Sequence, residues 1–401
     1  MKNNRTFLEK LLDGAEVEWK PLGDVCNFQN GFAFKSSLFK DNGAPIVRIT
    51  NIDGKEVNLS DVKYFLLDDY NTDMTPYKVH KGDILIAMSG ATTGKIGFYN
   101  YEHPSYLNQR VGKFLPNTNI LNNRYLYHYL LSKVEDIYII SGGGAQPNLS
   151  SNRLMSEVLI PIPPLSVQTE IVKILDALTA LTSELTSELT SELILRQKQY
   201  EYYREKLLSH NDSENSSQQK VDKDKLFSTS NIQWLHLNEI YKFQYGIGNK
   251  IPTIGGEYPV YGSNGIVGSH NEYNSEDAPV IGHIGAYAGI VNWAEGKHFV
   301  TYNGIICNKI NDNVNSRYAY YLLLSQNFID KANKASQPFI SYDILNKCIV
   351  PVPPIEEQQR IVSILDKFET LTNSITEGLP LAIEQSQKRY EYYRELLLNF
   401  S

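Results

Sequence analysis

The 401-residue chain has only three cysteines, Cys26, Cys307 and Cys348. They are scattered, without the spacing of a disulfide framework or a thiolate metal site, and read as buried thiols. Long apolar runs are missing: nothing approaches the ~20 residues needed to cross a bilayer. Met1-Lys2-Asn3-Asn4-Arg5 leads into mixed sequence rather than an apolar signal core, so the expected location is the cytoplasm, with no membrane partner. The eight histidines are dispersed, with no His-x-x-x-His, Asp-His or Cys-His grouping to suggest a metal or a triad. Neither an Asn/Asp-Pro-Pro-Tyr type of motif nor an acidic nuclease cluster occurs. Excess positive charge is lacking too: 38 Lys and Arg against 45 Asp and Glu give −7. That balance excludes a general nucleic-acid coat but leaves room for a local basic groove. The apolar share, 42%, and the length suit two or three compact domains.

The chain repeats itself, and repeats decide a fold before anything else. Ile160-Pro161-Ile162-Pro163-Pro164 returns as Val350-Pro351-Val352-Pro353-Pro354, QTEIVKILD at 168–176 as QQRIVSILD at 358–366, and YEYYRE at 200–205 unchanged at 390–395, all at an offset of 190. Upstream the offsets differ: Trp19 pairs with Trp234 at 215, Gly90-Ala91-Thr92-Thr93-Gly94 with Gly285-Ala286-Tyr287-Ala288-Gly289 at 195, and Gln146-Pro147 with Gln337-Pro338 at 191. One unit is duplicated; its β-rich half has diverged and its helical half has not.

Each β-rich half consists of short β-branched and aromatic runs, such as Ile46-Val47-Arg48-Ile49 and Ile84-Leu85-Ile86, broken by Asn-Gly and Asp-Gly turns. This pattern predicts a compact α+β domain with a curved, mostly antiparallel sheet. After each Pro-Pro pair a long helix begins. Ile171, Ile174, Leu178, Leu181, Leu185, Leu189 and Leu193 recur at three- and four-residue steps, and Ile361, Ile364, Leu371, Ile375, Leu379 and Ile383 occupy equivalent positions, predicting a coiled coil between the two helices. The first helix holds Thr-Ser-Glu-Leu three times at 182–193, while the 190 offset is kept on both sides, as a structural spacer would require. Gly378-Leu379-Pro380 predicts a break or kink in the second helix, with Pro380 opening a new segment. Residues 211–225 read as a polar linker.

Two diverged halves alternating with two near-identical long helices resemble the specificity subunit of type I restriction–modification systems. The resemblance covers the whole chain and rests on Trp19 and Trp234, the Pro-Pro-Leu-Ser-Val-Gln and Pro-Pro-Ile-Glu-Glu-Gln helix starts, and the Tyr-Glu-Tyr-Tyr-Arg-Glu ends. The Thr-Ser-Glu-Leu run resembles the tetrapeptide spacer of one subgroup. The resemblance implies an α+β architecture with internal pseudo-two-fold duplication. Target recognition domains at 1–160 and 231–350 are joined by long helices at 161–210 and 351–401 forming an antiparallel coiled coil, with a linker at 211–230. Each domain would read one half of a bipartite site in double-stranded DNA. The helices would set the gap and dock two methylation subunits, which bring S-adenosylmethionine. Restriction (motor-nuclease) subunits would add ATP and magnesium. The chain itself would hold no cofactor and catalyse nothing.

The residues agree on the lack of catalysis. Gly90-Ala91-Thr92-Thr93-Gly94-Lys95 has one residue too few for a phosphate loop, and Ile96 stands where Ser or Thr should bind magnesium. The same loop suits DNA reading, with Thr92, Thr93 and Lys95 to meet phosphates or base edges, and with His283 and Tyr287 in the second copy. Arg48, Asn51, Asn108, Gln109 and Arg110 flank nearby strand-like runs; Asn303 aligns with Asn108, and Lys35 with Lys250. Arg and Asn make the two-pronged contacts to guanine and adenine. Each is equally a candidate for a solvated or turn-forming residue, and the loop for a plain structural hairpin. Gln146 and Gln337 suggest a shared structural or phosphate role, and the Tyr200-Tyr202-Tyr203 and Tyr390-Tyr392-Tyr393 clusters suggest packing or partner docking. The competing readings are a two-headed coiled-coil adaptor for protein or RNA and an enzyme with a divergent nucleotide site.

Overall fold

The computed structural model describes residues 6–143, 147–208, 232–248, 251–252, 255–333, 336–373 and 377–400. The linker expected at 211–230 lies outside them. The chain divides into two units, one of residues 1–187 and 384–401, the other of residues 188–383. Among the described residues no helix is long and apolar enough to cross a membrane.

In the first unit, strand Glu18–Pro21 pairs antiparallel with Leu159–Ile162, setting Trp19 opposite Pro161. A four-stranded antiparallel sheet runs in the order Cys26–Asn30, Val111–Pro116, Ile84–Ala87, Ile96–Phe98. A second sheet, Lys63–Phe65, Ala44–Val47, Ser105–Leu107 and Lys78–Val79, contains one parallel pair. In the second unit, Gln233–His236 pairs with Ile349–Val352 and sets Trp234 opposite Pro351, the register of the first copy. Its six-stranded sheet runs Tyr241–Tyr245, Gly304–Lys309, Ser275–Gly282, Val291–Val300, Tyr258–Gly262, Gly265–His270, again with one parallel pair. The mostly antiparallel α+β halves expected from the sequence are present in both.

The invariant glutamine of the repeat has a structural reason. Gln168 is fully buried; its Nε2 donates to the carbonyls of Pro163 (2.8 Å) and Ile120 (2.9 Å), and its Oε1 accepts from Asn122 N–H (2.8 Å). Gln358 repeats this with Pro353, Asn313 and Asn315. One amide thus ties the Pro-Pro exit, the long helix and the start of the short helix together. Asn122 and Asn315 then cap those short helices, Asn123–Ser132 and Ser316–Ser325, by accepting two backbone N–H groups each. A lost buried amide of this kind leaves several unmet backbone groups at once.

A second repeated joint fixes each sheet-rich half to its helix. Arg124 pairs with Asp176, which also accepts from His128 Nε2 at 2.7 Å, and the guanidinium lies over Phe98 at 4.5 Å. In the second unit Arg317 pairs with Asp366 (3.0 Å) and Glu369 (2.6 Å) and lies over Trp293 at 5.3 Å; Tyr321 stands where His128 stood and donates to Asp366. Burial of the His128 ring holds its pKa below the ordinary 6.5; the Asp176 hydrogen bond opposes this and does not overcome it. As pH falls through 6.5 the unfolded chain therefore takes up a proton before the folded one, and stability declines from that point downward. We expect His128→Tyr, which installs the second unit's solution, to weaken this decline between pH 6.5 and 5. Identical pH profiles of thermal melting for the two chains would contradict it.

The first long helix, Leu165–Leu208, is continuous through its 44 residues and spans about 66 Å. Within the first unit its early part packs with the end of helix Leu379–Leu398: Ile171 and Leu175 share a core with Leu397 and Leu398, and Thr179 Oγ1 donates to Tyr390 Oη at 3.2 Å. Within the second unit its late part meets helix Ile355–Asn373: Leu207 and Leu208 share a core with Ile361 and Leu365, and Tyr203 stacks on Phe368 at 5.8 Å. In both, rising numbers on one helix meet falling numbers on the other, so each pair is antiparallel. The expected break is present: the distal helix ends at Asn373 and restarts at Leu379 after Gly378 (φ +90°), with Pro380 in the first turn, where its missing N–H costs nothing. Ile375 lies outside the described residues. The expected apolar seam is interrupted at Leu181 and Leu185, while Leu189 and Leu193 are half-buried. Leu181 is 63% exposed and Leu185 41%, because a four-residue period drifts around the helix instead of holding one face.

Candidate nucleic-acid interface

The glycine loop sits between strands Ile84–Ala87 and Ile96–Phe98 as a single 3-10 turn, Gly90–Thr92. Its backbone bonds recur in the second copy. Gly90 N–H donates to Pro147 at 3.2 Å and Gly285 N–H to Pro338 at 2.9 Å; Gly94 N–H donates to Ala87 at 2.9 Å and Gly289 N–H to Gly282 at 2.8 Å. The Gln-Pro motif therefore anchors the loop through the proline carbonyl. Gln146 itself is outside the described residues, whereas Gln337 is exposed. In the second loop the two glycines serve different ends. Gly285 (φ +96°) faces open space, whereas a Cβ on Gly289 (φ +93°) would lie 2.5 Å from Ile329 N and from the Phe328 carbonyl carbon.

Around the first loop the structure gathers most of the residues singled out in the sequence. Ile49 abuts Gly90, the Lys95 stem lies beside Gly54, Met88 N–H donates to the Arg110 carbonyl at 2.8 Å, and Asn108 N–H donates to Val47 at 3.0 Å. Arg48, Thr92, Lys95 and Asn108 are half-buried there, and Gln109 and Arg110 are exposed. Two candidates are engaged inside the domain. Asn51 is buried, with Oδ1 accepting from Arg48 N–H and Nδ2 donating to the carbonyls of Asn58 and Asp61. Thr93 is buried, and its hydroxyl is bonded to the carbonyls of Gly90 and Pro147. Lys35 is exposed beside Tyr70, on the aromatic cluster of Phe32, Phe34 and Phe65 rather than on the loop. Lys250 lies outside the described residues.

In the second unit His283 is buried, its Nδ1 at 3.1 Å from the Tyr302 carbonyl oxygen; Tyr287 is exposed and Asn303 half-buried. The alignment of Asn303 with Asn108 shifts by two residues. His283 N–H donates to Asn303 as Met88 N–H does to Arg110, and Gly304 lies opposite Gly282 as Val111 lies opposite Ala87. Asn303 is therefore the counterpart of Arg110. Three neighbours escaped the sequence reading: Tyr245, 4.3 Å from the His283 ring, Tyr342 stacked on Tyr245 at 4.2 Å, and Tyr302, 5.1 Å from His283. They come from three distant segments, and nothing in the sequence marks them as neighbours. Among the described residues no cluster of His, Cys, Asp and Glu could hold a metal ion.

Two copies of one loop frame, each displaying its own side chains, define a duplicated scaffold. A family model described as "Type I restriction modification DNA specificity domain" matches residues 15–195 and 237–385, and the chain belongs to that family. It is similar to a putative type I restriction enzyme specificity subunit of Haemophilus influenzae, at 41% identity over the full length of both chains. The EcoR124I/EcoR124II specificity subunit of Escherichia coli is 32% identical over 98% of this chain and 97% of its own. Among solved structures, one from work on complex assembly and conformational transition of the type I R-M system matches with TM-score 0.68 at 16% identity, covering 96% and 98% of the two chains. The HsdS subunit from Thermoanaerobacter tengcongensis matches with TM-score 0.54 at 16% identity, covering 96% of each chain. Both support the fold.

Proposed function

We propose that this chain reads a split site in double-stranded DNA, each unit contacting one half-site through its glycine-loop face, and that it delivers partner enzymes to the site. The observation that carries this reading is the repeated loop frame: backbone bonds match within a few tenths of an ångström while the displayed side chains differ. Equal frames with unequal side chains are what two different half-sites demand. In the first unit Lys95, Gln109 and Arg110, with Arg48, Thr92 and Asn108 behind them, supply the polar and basic contacts; His283, Tyr287 and Asn303 serve the second. Duplication also speaks to the partners. Trp19 and Trp234 are both exposed at equivalent strand positions, as are Tyr202 and Tyr392 on the helices. Two like surfaces take two like partners, here two methylation subunits carrying S-adenosylmethionine. Restriction (motor-nuclease) subunits with ATP and magnesium complete the assembly, and the specificity chain contributes no catalytic group.

The test is reconstitution. With the methylation subunits of its own system, the chain should direct adenine methylation to a split, asymmetric motif, read by sequencing modified bases. Alone, it should transfer no methyl group. Methyl transfer by the purified chain, or an assembly that prefers RNA or protein to duplex DNA, would overturn the reading.

A further inference from the structure

The duplication supplies an internal control that a single recognition domain lacks. Positions that share backbone bonds in both units are equivalent by geometry, so a difference in side chain there is a difference in what is displayed. Four such positions converge. Asn30 and Ser151 meet in the first unit, Asn30 Nδ2 donating to Ser151 Oγ at 3.4 Å; their equivalents Tyr245 and Tyr342 meet in the second, Tyr342 Oη accepting from Tyr245 N–H at 2.7 Å. Asn30 ends the strand pairing with Val111–Pro116, and Tyr245 ends the one pairing with Gly304–Lys309. Met88 and His283 hold the same two backbone bonds: the N–H groups donate to Arg110 and Asn303, and the carbonyls accept from Leu149 (2.8 Å) and Ile340 (2.9 Å). Gln109 and Tyr302 precede that Arg110–Asn303 pair.

We infer that Tyr245, His283, Tyr302 and Tyr342 form the base-discriminating surface of the second unit, and that Asn30, Met88, Gln109 and Ser151 are its counterpart in the first. This deepens the DNA reading above and rests on it. The four positions differ together. In the second unit they make one aromatic cluster, Tyr245 lying 4.3 Å from His283, 4.2 Å from Tyr342 and 6.0 Å from Tyr302. In the first unit the same places hold two amides, a hydroxyl and a core methionine. A general packing role would not require so complete an exchange of chemistry, because the strands, the loop and the flanking hydrogen bonds are common to both. The chemistry of the cluster also names what it fits. His283 is itself buried, with Nδ1 3.1 Å from the Tyr302 carbonyl oxygen, so it braces the cluster from within. Exposed Tyr302 offers an apolar ring to a thymine methyl in the major groove.

The experiment grafts one unit's set onto the other in the full chain, assembled with the methylation subunits of its own system. One variant carries Tyr245→Asn, His283→Met, Tyr302→Gln and Tyr342→Ser together. A second carries only Tyr302→Gln, on an exposed side chain that folding tolerates. Each is read by methylation of a duplex library randomised at both half-sites. Both variants should change the base preference at the second unit's half-site, the fourfold graft at two or more base pairs and Tyr302→Gln at one. The first unit's half-site should remain as selected by the parent, which also shows that the chain is folded. An unchanged preference in Tyr302→Gln, or an equal loss of methylation on every sequence, would refute the proposal. If the parent assembly selects no split site at all, it is the DNA reading itself that fails.

Discussion

A chain lacking residues 186–189 is expected to select the same two half-sites with a gap one or two base pairs shorter. One Thr-Ser-Glu-Leu unit contributes about 6 Å of rise and roughly 400° of turn, a net rotation near 40°. Against ~3.4 Å per base-pair step, 6 Å lies between one and two steps. The structure explains why the deletion should leave the chain folded. Leu185 is exposed, and neither it nor the half-buried Leu189 and Leu193 belongs to either core, while Ile171 and Leu175 on one side and Leu207 and Leu208 on the other stay in place. Affinity for the original gap should fall by about 100-fold or more, because two linked contacts that cannot engage together lose their avidity. Selection from a library of gap lengths checks this. An unchanged gap would show that spacing is set outside the repeat.

The largest stability effect is expected at Gly289. Its φ of +93° disfavours any side chain, and a Cβ would meet the backbone of Phe328 and Ile329 at 2.5 Å, next to a fully buried ring. Gly289→Ala should cost about 3 kcal/mol or more, since strain and a backbone clash add. In a unit of this size that corresponds to a lowering of Tm by about 10 °C. Gly285→Ala, in the same loop and with a similar φ, meets open space and should cost about 1 kcal/mol. Thermal melting of the two variants side by side tests the assignment; equal losses would contradict it.

The parts legible in the sequence were those where chemistry is local. Proline is disfavoured inside a helix but tolerated in its first turn, so the break at Gly378, with Pro380 opening the next segment, was readable from three residues. The helical repeats were readable because the glutamine clamp and the arginine joint need the same side chains in both units. The loop frame was readable through its glycines. What lay hidden depended on distance along the chain. Tyr245, Tyr302 and Tyr342 meet only after three strands and a helix have been placed. The shift that makes Asn303 the counterpart of Arg110 comes from two residues lost between the strand that follows the loop and the strand that begins at Val111 or Gly304, where no motif marks the change. Asn51 and Thr93 carry the right groups for DNA contact, but backbone partners from neighbouring segments occupy them, and the sequence does not show those partners.

The closure of the first unit by residues 384–401 has a consequence for synthesis. Leu397 and Leu398 belong to the core that holds Leu22, Leu126 and Ile171, so the unit built from residues 1–187 needs residues 384–401. When residue 383 has been added, all of the second unit has been synthesised, yet the first still lacks its final wall. Residues 1–187 must therefore wait, with apolar surface uncovered, until residues 384–401 have been added, and these contacts of long sequence separation close late. Of the two units, the one that contains residues 1–187 is thus completed second, after the unit that follows it in the chain.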